Sequence, residues 1–315
     1  MRKVICKIIT GILLAVASAF VTALHAQTQD ESVRVMSYNI HRGGVVMLKQ
    51  PLSQTAKAIQ LAKADIVGIQ ETRSPRGDKL EELAKLLGWN HDMGKGSQIL
   101  TRHEILESLN SGVKLKLDSG KEAYVFNLHL PSHPYQPYQL LQIRPKWHKH
   151  TNDITFIKTE AEAIEWAKKA RGRELTKLLR LIRSIPDKQA PVFVVGDFNE
   201  PSHLDWTERA AKADRHPIKV EYPNSLAMIN AGFTDAYRAL YPDEMKYPGY
   251  TWSSFYKFDD PKTHHDRIDF VYFKGKGIKL NEVKIVGENQ KDADIVISPY
   301  PSDHRAVVAN FKLTK

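Results

Sequence analysis

Small polar and charged side chains recur in this sequence where short apolar runs end. The run VFVVG ends at Gly196, and Asp197 and Asn199 follow with only Phe198 between them. Asp and Asn often end strands simply because they suit turns. Since ligand sites in layered α/β folds form where strands end, a larger set of such residues predicts one shared site. The other members of the set are Asn39, Glu71, His129, Asp266, Asp269, Asp303 and His304.

Convergence of these residues would create a site suited to phosphoryl chemistry. Carboxylates at close range raise one another's pKa and cost free energy unless a cation neutralises them. Oxygen ligands without cysteine favour a hard ion, Mg²⁺ first and Mn²⁺ or Ca²⁺ next. Histidine and asparagine side chains around such an ion can hold or protonate phosphate oxygens. The residue types therefore predict hydrolysis of a phosphate ester.

The elements that must position this site alternate along the chain. Apolar runs bounded by turn residues predict strands, several of them covered on both faces. Apolar spacings of i, i+3, i+4, i+7 predict helices at residues 175–182, and similar patterns occur at 52–59 and 80–87. Their interleaving predicts one layered α/β or α+β domain over residues 27–315. The predicted strands are 33–40, 65–71, 114–117, 123–130, 191–199, 267–275 and 306–313.

The first 26 residues have the composition of a secretory signal peptide. Three basic residues precede an apolar run from Ile8 to about Leu24, and small residues and then QTQD follow. A membrane anchor is the alternative, but the run is interrupted by Thr, Gly and Ser and lacks a basic flank. We therefore expect cleavage after Ala26 and an exported protein, in a bacterial periplasm or outside the cell.

Cysteine content and charge narrow the class of protein further. The only cysteine, Cys6, lies in the predicted leader, which excludes thiol nucleophiles and cysteine-based zinc sites from the rest of the chain. Export without disulfides fits a periplasm better than a disulfide-rich secreted domain. Basic residues outnumber acidic ones by 46 to 36, and by 43 to 36 once the three in the leader are removed. This excess suits a phosphate-bearing substrate, although it also serves solubility.

Residues 133–172 are too long for a simple connection between a strand and a helix, and they form a candidate insertion at the rim of the site. Residues 160–170 have a helical pattern. A basic and aromatic cluster in this segment predicts a substrate-reading lid or a nucleic-acid contact, with a solvated surface as the alternative. Two histidine pairs, His148/His150 and His264/His265, lack helical i, i+4 spacing and are interpreted as loop residues, not zinc ligands. The cluster consists of Arg144, Lys146, Trp147, His148, Lys149 and His150.

Nine short motifs follow one another along the chain after the leader. They are SYNIHRG (37–43), IVGIQETR (66–73), GSQILTRHEI (96–105), FNLHL (126–130), VVGDFNEPS (194–202), FTDAYR (233–238), YTWSS (250–254), DRIDFVYF (266–273) and PSDHRAVVANF (301–311). In this order they resemble the endonuclease/exonuclease/phosphatase superfamily. That group includes pancreatic deoxyribonuclease, abasic-site endonucleases, bacterial sphingomyelinases and inositol-polyphosphate phosphatases.

The resemblance implies a four-layered α/β sandwich, in which two packed mixed sheets are flanked by helices and the site lies at one rim. It also implies a divalent metal, Mg²⁺ before Mn²⁺ or Ca²⁺. Glu71 would be the principal metal ligand, with Asn39 close by and Asp303 supporting the metal cluster. Asp197 would orient or deprotonate the attacking water.

The remaining implied roles concern the phosphate. Asn199 would hold a phosphate oxygen or the nucleophile, and His304 would bind a non-bridging oxygen and stabilise the transition state. His129 would contact the phosphate or protonate the leaving oxygen. Asp269 is preferred over Asp266 as the carboxylate that orients His304, and Asp266 would otherwise be a loop residue that pairs with the neighbouring arginine.

The implied activity is in-line hydrolysis of a phosphate ester, with a phosphodiester preferred. A nuclease is nearly level with an enzyme for phospholipid head groups, sugar phosphates or inositol phosphates, and a phosphomonoesterase is a further alternative. A catalytically silent phosphate-binding module is the alternative of another class. We expect a monomer without a stable membrane anchor. Asp92 is a weak candidate partner for His129, and the sequence assigns no role to His203, Asp205 or Trp206.

Overall fold

The computed structural model describes residues 30–45, 49–94, 98–144 and 154–314. The predicted leader and most of the basic and aromatic cluster of residues 144–150 lie outside these ranges. The strands are β1 Glu31–Asn39, β2 Ile66–Gln70, β3 Arg73–Ser74, β4 Gly77–Asp78, β5 Asn90–Asp92, β6 Ile99–Thr101, β7 Glu104–Leu109, β8 Gly112–Lys116, β9 Glu122–His129, β10 Val192–Asp197, β11 Thr234–Asp235, β12 Asp269–Lys274, β13 Ile278–Gly287, β14 Ile295–Val296 and β15 Ala306–Leu313. The α-helices are α1 Leu52–Leu61, α2 Leu80–Leu87, α3 Gln136–Leu141, α4 Glu160–Arg183, α5 Glu208–Lys212, α6 Pro223–Asn230 and α7 Ala236–Leu240.

Two large mixed sheets form the centre of the molecule. The first has the order β14-β13-β15-β1-β2-β6-β5, and the second β11-β12-β10-β9-β8-β7. β1 and β2 run parallel in the first sheet, as β9 and β10 do in the second, while the neighbours β15 and β12 run antiparallel to them. All seven strands predicted from apolar runs are present as β1, β2, β8, β9, β10, β12 and β15.

The apolar side chains form three layers of core. Between the sheets lie residues such as Val35 of β1, Val195 of β10 and Phe311 of β15. Leu52 of α1 and Leu83 of α2 pack on the outer face of the first sheet. The helix α4 packs on the outer face of the second sheet through its predicted apolar stripe, Leu175, Leu178, Leu179 and Ile182. The result is the predicted four-layered α/β sandwich, which the structure confirms.

The strand order brings the predicted polar ends to one edge. Asn39 at the end of β1 is opposite Gln70, which directly precedes Glu71. In the second sheet, Asp197 at the end of β10 is opposite both His129 of β9 and Asp269 of β12. Because both parallel pairs end at this edge, side chains from both sheets meet there.

A glycine is required just before Asp197. Gly196 has a φ of +153°, and a Cβ atom built on it would lie 2.3 Å from the carbonyl oxygen of Leu128 in β9. A side chain at this position would push β10 away from β9. The small residue therefore allows Asp197 and His129 to end neighbouring strands at the same height.

The segment 133–172 contains α3 and the first half of α4. Residues 160–172 are continuous with the predicted helix at 175–182 in one 24-residue helix. Thr159 and Glu162 form a capping box at its start, in which the Thr159 side chain accepts from the Glu162 backbone N–H. Among the described residues, no helix is long and apolar enough to cross a bilayer.

Candidate active site

Asn39 connects the ends of three strands. Its buried amide nitrogen Nδ2 donates to Glu71 Oε1 at 3.1 Å and to Asp197 Oδ2 at 2.9 Å. Its oxygen Oδ1 accepts from the backbone N–H of His41 at 3.0 Å. Asn39 thereby fixes the position of a carboxylate from each sheet.

Asp197 is a buried carboxylate that is held by amide groups. Oδ2 accepts from Nδ2 of Asn39 and, at 3.1 Å, from Nδ2 of Asn199, while Oδ1 accepts from the Asn199 backbone N–H at 2.8 Å. Burial raises the pKa of Asp197, the charge of Asp269 raises it further, and His304, His129 and the Asn39 amide oppose the rise only in part. A carboxylate with a raised pKa is a stronger base than an ordinary aspartate.

Asn199 and His129 complete the surroundings of Asp197. Asn199 has a φ of +48°, which is uncommon for a residue with a side chain, and its Nδ2 also donates to the Leu130 carbonyl oxygen at 2.9 Å. Nε2 of His129 lies 3.6 Å from Asp197 Oδ2, and 37% of the His129 side chain is exposed. The buried Asp197 carboxylate therefore lies next to a histidine side chain that is partly exposed to solvent.

His304 is oriented by Asp269. Nδ1 of His304 lies 2.9 Å from Oδ2 of Asp269, and both side chains are buried. Burial lowers the pKa of His304, but the carboxylates of Asp269, Asp197 and Asp303 outweigh burial and hold the pKa well above its usual range. With Nδ1 facing Asp269, Nε2 lies 3.8 Å from Asp197 Oδ2. A cationic imidazole is thus presented next to the candidate base.

Asp266 lies elsewhere, so the structure places Asp269 and not Asp266 against His304. The carboxylate of Asp266 accepts from the Tyr135 hydroxyl at 2.6 Å and from Nε1 of Trp206 at 2.9 Å. Trp206 is fully buried, although the sequence assigned it no role.

A second group of buried charges explains why Asp266 forms no ion pair with the adjacent Arg267. Arg267 forms ion pairs with Asp205 at 2.9 Å and Asp235 at 2.8 Å, so the alternative interpretation of Asp266 as the partner of Arg267 is wrong. Arg238 donates to Asp205 Oδ1 at 2.6 Å. We call Asp205, Asp235, Arg238 and Arg267 the arginine network.

The loop that carries Asp303 and His304 is fastened to β1. The hydroxyl of Ser302 donates to the Asn39 carbonyl oxygen at 2.6 Å, and its oxygen accepts from the His304 backbone N–H at 3.1 Å. Ser254 adds two hydrogen bonds, from its N–H to the Asp303 carbonyl oxygen at 2.8 Å and from its hydroxyl to Ser302 O at 2.6 Å. The serines thus position the loop against the end of the first sheet.

Glu71 and Asp303 meet at a histidine that sequence reasoning missed. Nδ1 of His41 lies 3.2 Å from Asp303 Oδ1 and 3.9 Å from Glu71 Oε2. Burial raises the pKa of Asp303, but the contact with His41 and the charge of His304 outweigh burial and lower it. Glu71 has a φ of +57°, and its Oε2 accepts from the Arg42 backbone N–H at 3.1 Å. The signal for His41 was present, since it lies within the motif SYNIHRG.

These residues fit a hard divalent cation. Glu71, Asp197, Asp269 and Asp303 are joined through Asn39, His41 and His304, yet within the described ranges no Lys or Arg side chain forms a salt bridge with any of the four. In the part of the chain that the structure describes, the basic side chains that form ion-pair contacts with them are all histidines. Oxygen donors with excess negative charge are the ligand set that Mg²⁺, Mn²⁺ and Ca²⁺ prefer.

All eight residues predicted for the site are in this contact network. Other predicted residues are not part of it as far as the structure describes them: Asp92 lies on β5 and accepts from Gly94 N at 3.1 Å and from the Ser108 hydroxyl. Arg144, from the basic and aromatic cluster, stacks on Phe156 at 4.5 Å. The rest of that cluster lies outside the described residues, so its role at the rim stays a prediction.

The chain is similar to known proteins in sequence and in fold. A curated Caenorhabditis elegans protein, uncharacterized protein F14F9.5, is 28% identical over 308 residues, which cover 90% of this chain and 92% of that protein. The fold is similar to a Bacteroides thetaiotaomicron endonuclease/exonuclease/phosphatase family protein, with a TM-score of 0.53, 17% identity, and coverage of 91% of this chain and 100% of that chain.

A second solved structure is TDP2 of D. rerio complexed with a single-strand DNA product. Its TM-score is 0.53 at 16% identity, with coverage of 90% of this chain and 99% of that chain. At these identities the two structures show the fold alone. The family model for the Endonuclease/Exonuclease/phosphatase family matches residues 36–304, which is most of the sequence and includes every predicted site residue. The chain therefore belongs to the endonuclease/exonuclease/phosphatase family.

Proposed function

We propose that this protein is a divalent-metal-dependent phosphoesterase that hydrolyses phosphate esters, with phosphodiesters preferred. The observation that carries the proposal is the placement of Asp197. This buried carboxylate of raised pKa lies between two histidine Nε2 atoms, 3.6 Å from that of His129 and 3.8 Å from that of His304. A base and two potential phosphate contacts therefore face one small volume, beside carboxylates that form no salt bridge with a Lys or Arg side chain of the described residues.

Glu71 and Asp303 would hold the cation, and Asn39 would fix Glu71 through the hydrogen bond from its Nδ2 to Oε1. Mg²⁺ is the first candidate, followed by Mn²⁺ and Ca²⁺. When bound, the ion would polarise a phosphoryl oxygen and offset negative charge in the transition state. His41 would orient the two carboxylates, since its Nδ1 contacts both.

Asp197 would take the proton of the attacking water. Its two amide neighbours, Asn39 and Asn199, donate to its ionised form and keep Oδ2 fixed. Because the amides come from both sheets, the base has little freedom to turn away from the substrate. Such positioning lowers the entropic part of the barrier.

His304 would bind a non-bridging phosphate oxygen through Nε2. Asp269 occupies its other ring nitrogen and favours the cationic form, so the charge is in place before the transition state forms. His129, which is more exposed, is suited to the leaving-group side, where it would contact the phosphate or protonate the leaving oxygen.

Nucleic acid is the second candidate substrate. The D. rerio structure of the same fold is complexed with a single-strand DNA product, and the basic excess of this chain suits a polyanion. We also propose that residues 1–26 direct export, that residues 27–315 form a single catalytic domain, and that the enzyme is monomeric. N-terminal sequencing of the exported protein and light scattering would test these points.

A substrate screen with controlled metal would test the proposed function. Plasmid and single-stranded DNA, RNA, bis-p-nitrophenyl phosphate, p-nitrophenyl phosphate, sphingomyelin and inositol phosphates would each be offered with Mg²⁺, Mn²⁺ or Ca²⁺, and with EDTA. Asp197→Asn serves as the inactive control. We expect metal-dependent cleavage of a diester that EDTA abolishes and the variant lacks.

The other outcomes of the screen would each decide one part of the proposal. Full activity in excess EDTA would contradict the metal requirement, and cleavage of monoesters alone would contradict the preference for diesters. Rapid nicking of plasmid DNA would establish the nuclease. Phosphate binding without hydrolysis of any compound would favour a silent binding module.

A further inference from the structure

Three candidate metal ligands lie together outside the Asp197 site. Nδ1 of His216 and Nε2 of His264 are 3.1 Å apart, and Nε2 of His264 is 3.8 Å from Asp266 Oδ1. The three ligand atoms lie within 4.8 Å of one another, and His216 and Asp266 are buried. None of these residues belongs to the catalytic contact network, so the cluster requires an explanation of its own.

Trp206 organises the whole cluster. Its ring stacks on His216 with 4.2 Å between centroids and an interplanar angle of 10°, and it meets His264 edge-on at 5.7 Å. Its Nε1 donates to Asp266 Oδ1 at 2.9 Å, while the Tyr135 hydroxyl donates to Oδ2 at 2.6 Å. A buried indole therefore contacts all three side chains, as outer-sphere partners do around metal ligands.

The spacing of the three ligand atoms resembles one face of a tetrahedral metal site. Ligands bonded to Zn²⁺ at about 2.0–2.1 Å are about 3.3 Å apart, which compares with the 3.1 Å between the two histidine nitrogens. Asp266 Oδ1 lies 3.8 Å from the His264 nitrogen and would have to move closer by about half an ångström to reach the same spacing from His264. We propose that His216, His264 and Asp266 bind a transition-metal ion, Zn²⁺ by the chemistry of the ligands, with a fourth position open to water.

Access and ligand chemistry agree with this assignment. The His264 side chain is 18% exposed, so an ion can reach the cluster from solvent although the other two ligands are buried. Two nitrogens and one carboxylate oxygen suit Zn²⁺ better than the hard cations proposed for the carboxylate site.

The ion would act on structure and not on substrate. The backbone of Asp266 exchanges hydrogen bonds with Trp252, at 3.0 Å from the Trp252 N–H and 2.9 Å to the Trp252 carbonyl oxygen. Trp252 also forms a β-bridge with His304. Three residues after Asp266 the chain reaches Asp269, the partner of His304. An ion at Asp266 would therefore brace the turn that holds the His304–Asp269 pair.

Zinc stoichiometry tests this proposal independently of the proposed function, because it needs no activity. The full-length protein is stripped with EDTA, and Zn²⁺ is titrated against a chromophoric chelator of known affinity. A Glu71→Gln/His304→Gln chain serves as the background, since it weakens zinc binding at the carboxylate site. His264→Gln and His216→Gln are the test variants. The matched control is His265→Gln, because the adjacent His265 ring stacks on Phe258 at 4.1 Å instead.

We expect one tight zinc equivalent per chain in the background and in the control. Each test variant should weaken it at least about a hundredfold, because the loss of an outer-sphere partner alone already costs about 10–100-fold. A zinc-edge anomalous peak should lie between the two histidine nitrogens. The proposal would be overturned if the background chain bound no tight zinc equivalent, or if His264→Gln bound zinc as tightly as the background does. The absence of tight zinc binding would also overturn it and would leave a plain N–H···N hydrogen bond between the histidines.

Discussion

The carboxylates of Asp197 and Asp205 are both buried beside positively charged groups, yet their surroundings differ. Asp205 belongs to the arginine network, where Arg238 and Arg267 both donate to it, Arg238 at 2.6 Å and Arg267 at 3.0 Å. Among the described residues, Asp197 accepts only from amide N–H groups of Asn39 and Asn199, and it faces two histidines. Guanidinium groups are permanently charged, whereas amides are neutral and histidines exchange their protons.

The pKa values follow this difference. Burial raises the pKa of Asp205, but Arg267 and Arg238 outweigh burial and hold it below its usual value. Burial also raises the pKa of Asp197, and there it prevails. A buried carboxylate whose charge is fully compensated by arginines stabilises the fold. A buried carboxylate whose charge is not fully compensated provides a base and a cation site. The degree of charge compensation, and not burial alone, therefore separates the functional aspartate from the structural one.

The largest expected effect is the loss of activity in Asp197→Asn. The amide keeps the shape of the carboxylate but cannot take a proton, so we expect turnover to fall by about 10²–10⁴-fold. Stability should not decrease, because an uncompensated buried charge is removed. Steady-state kinetics and urea denaturation would measure both, with Asp187→Asn, an exposed change in the loop before β10, as the control. A variant that retains turnover would mean that another group is the base.

The reverse result is expected for Asp205→Asn. Removing one member of a buried ion pair leaves the arginines partly uncompensated and costs about 3–5 kcal/mol of unfolding free energy. Urea denaturation would show this as a lower midpoint. Glu81→Gln, which removes the exposed ion pair with Lys85, should leave the midpoint unchanged. An equally small change in Asp205→Asn would show that the arginine network is not the stabilising region.

The two aspartates should also give opposite pH dependence of stability. The folded pKa of Asp197 is raised from 3.8 to about 6, so the folded state binds this proton more tightly than the unfolded state. The contribution of Asp197 to the free energy of unfolding is therefore fully present below pH 3.8 and is lost as the pH rises through about 6. Asp205 has a lowered pKa, so its contribution is present above pH 3.8 and is lost as the pH falls through the folded pKa.

Denaturation curves of the wild type and both Asn variants, recorded in EDTA between about pH 4 and pH 7, would separate these trends. The wild type should lose stability relative to Asp197→Asn as the pH rises. Relative to Asp205→Asn it should keep its advantage down to about pH 4. Parallel curves for the two variants would contradict the difference in compensation.

The sequence predicted the fold and the main site because both depend on local patterns. Apolar runs such as VFVVG specify buried strands, and a polar residue that ends one, such as Asp197, must lie at a sheet edge. Eight strands of the described part of the chain escaped this reasoning, among them β7 and β13. β7 is mostly exposed, and β13 alternates polar and apolar residues, so neither has a continuous apolar run. They are strands because β7 pairs with β8 and β13 pairs with β15.

Other features depend on contacts that no local pattern contains. Asp266 and Asp269 are only three residues apart in the sequence, and only the backbone path shows that Asp269 begins β12 beside Asp197. His216 is 48 residues from His264 in the chain, and Trp206 brings both together with Asp266. His264 does lie in a loop, as its spacing indicated, and the metal role proposed for it depends on these long-range contacts.

The smallest expected effect concerns His41, a histidine and not an arginine, which partly compensates the charge of two carboxylates. Its Nδ1 contacts Asp303 at 3.2 Å and lies 3.9 Å from Glu71, the two residues proposed to hold the cation. In His41→Gln the carboxylates should lose an orienting partner, which typically lowers metal affinity about 10–100-fold. We expect the Mg²⁺ concentration for half-maximal activity to rise by about tenfold.

Turnover at saturating Mg²⁺ separates this role of His41 from a direct one. If His41 only orients Glu71 and Asp303, a high Mg²⁺ concentration should restore most of the turnover, which it cannot do for Asp197→Asn. His91→Gln, a substitution of an exposed histidine, should leave the Mg²⁺ dependence unchanged. Turnover that stays as low as in Asp197→Asn would instead assign His41 to the reacting phosphate. In that case histidines on both sides of the carboxylates would contact the substrate, and the cation would be held without His41.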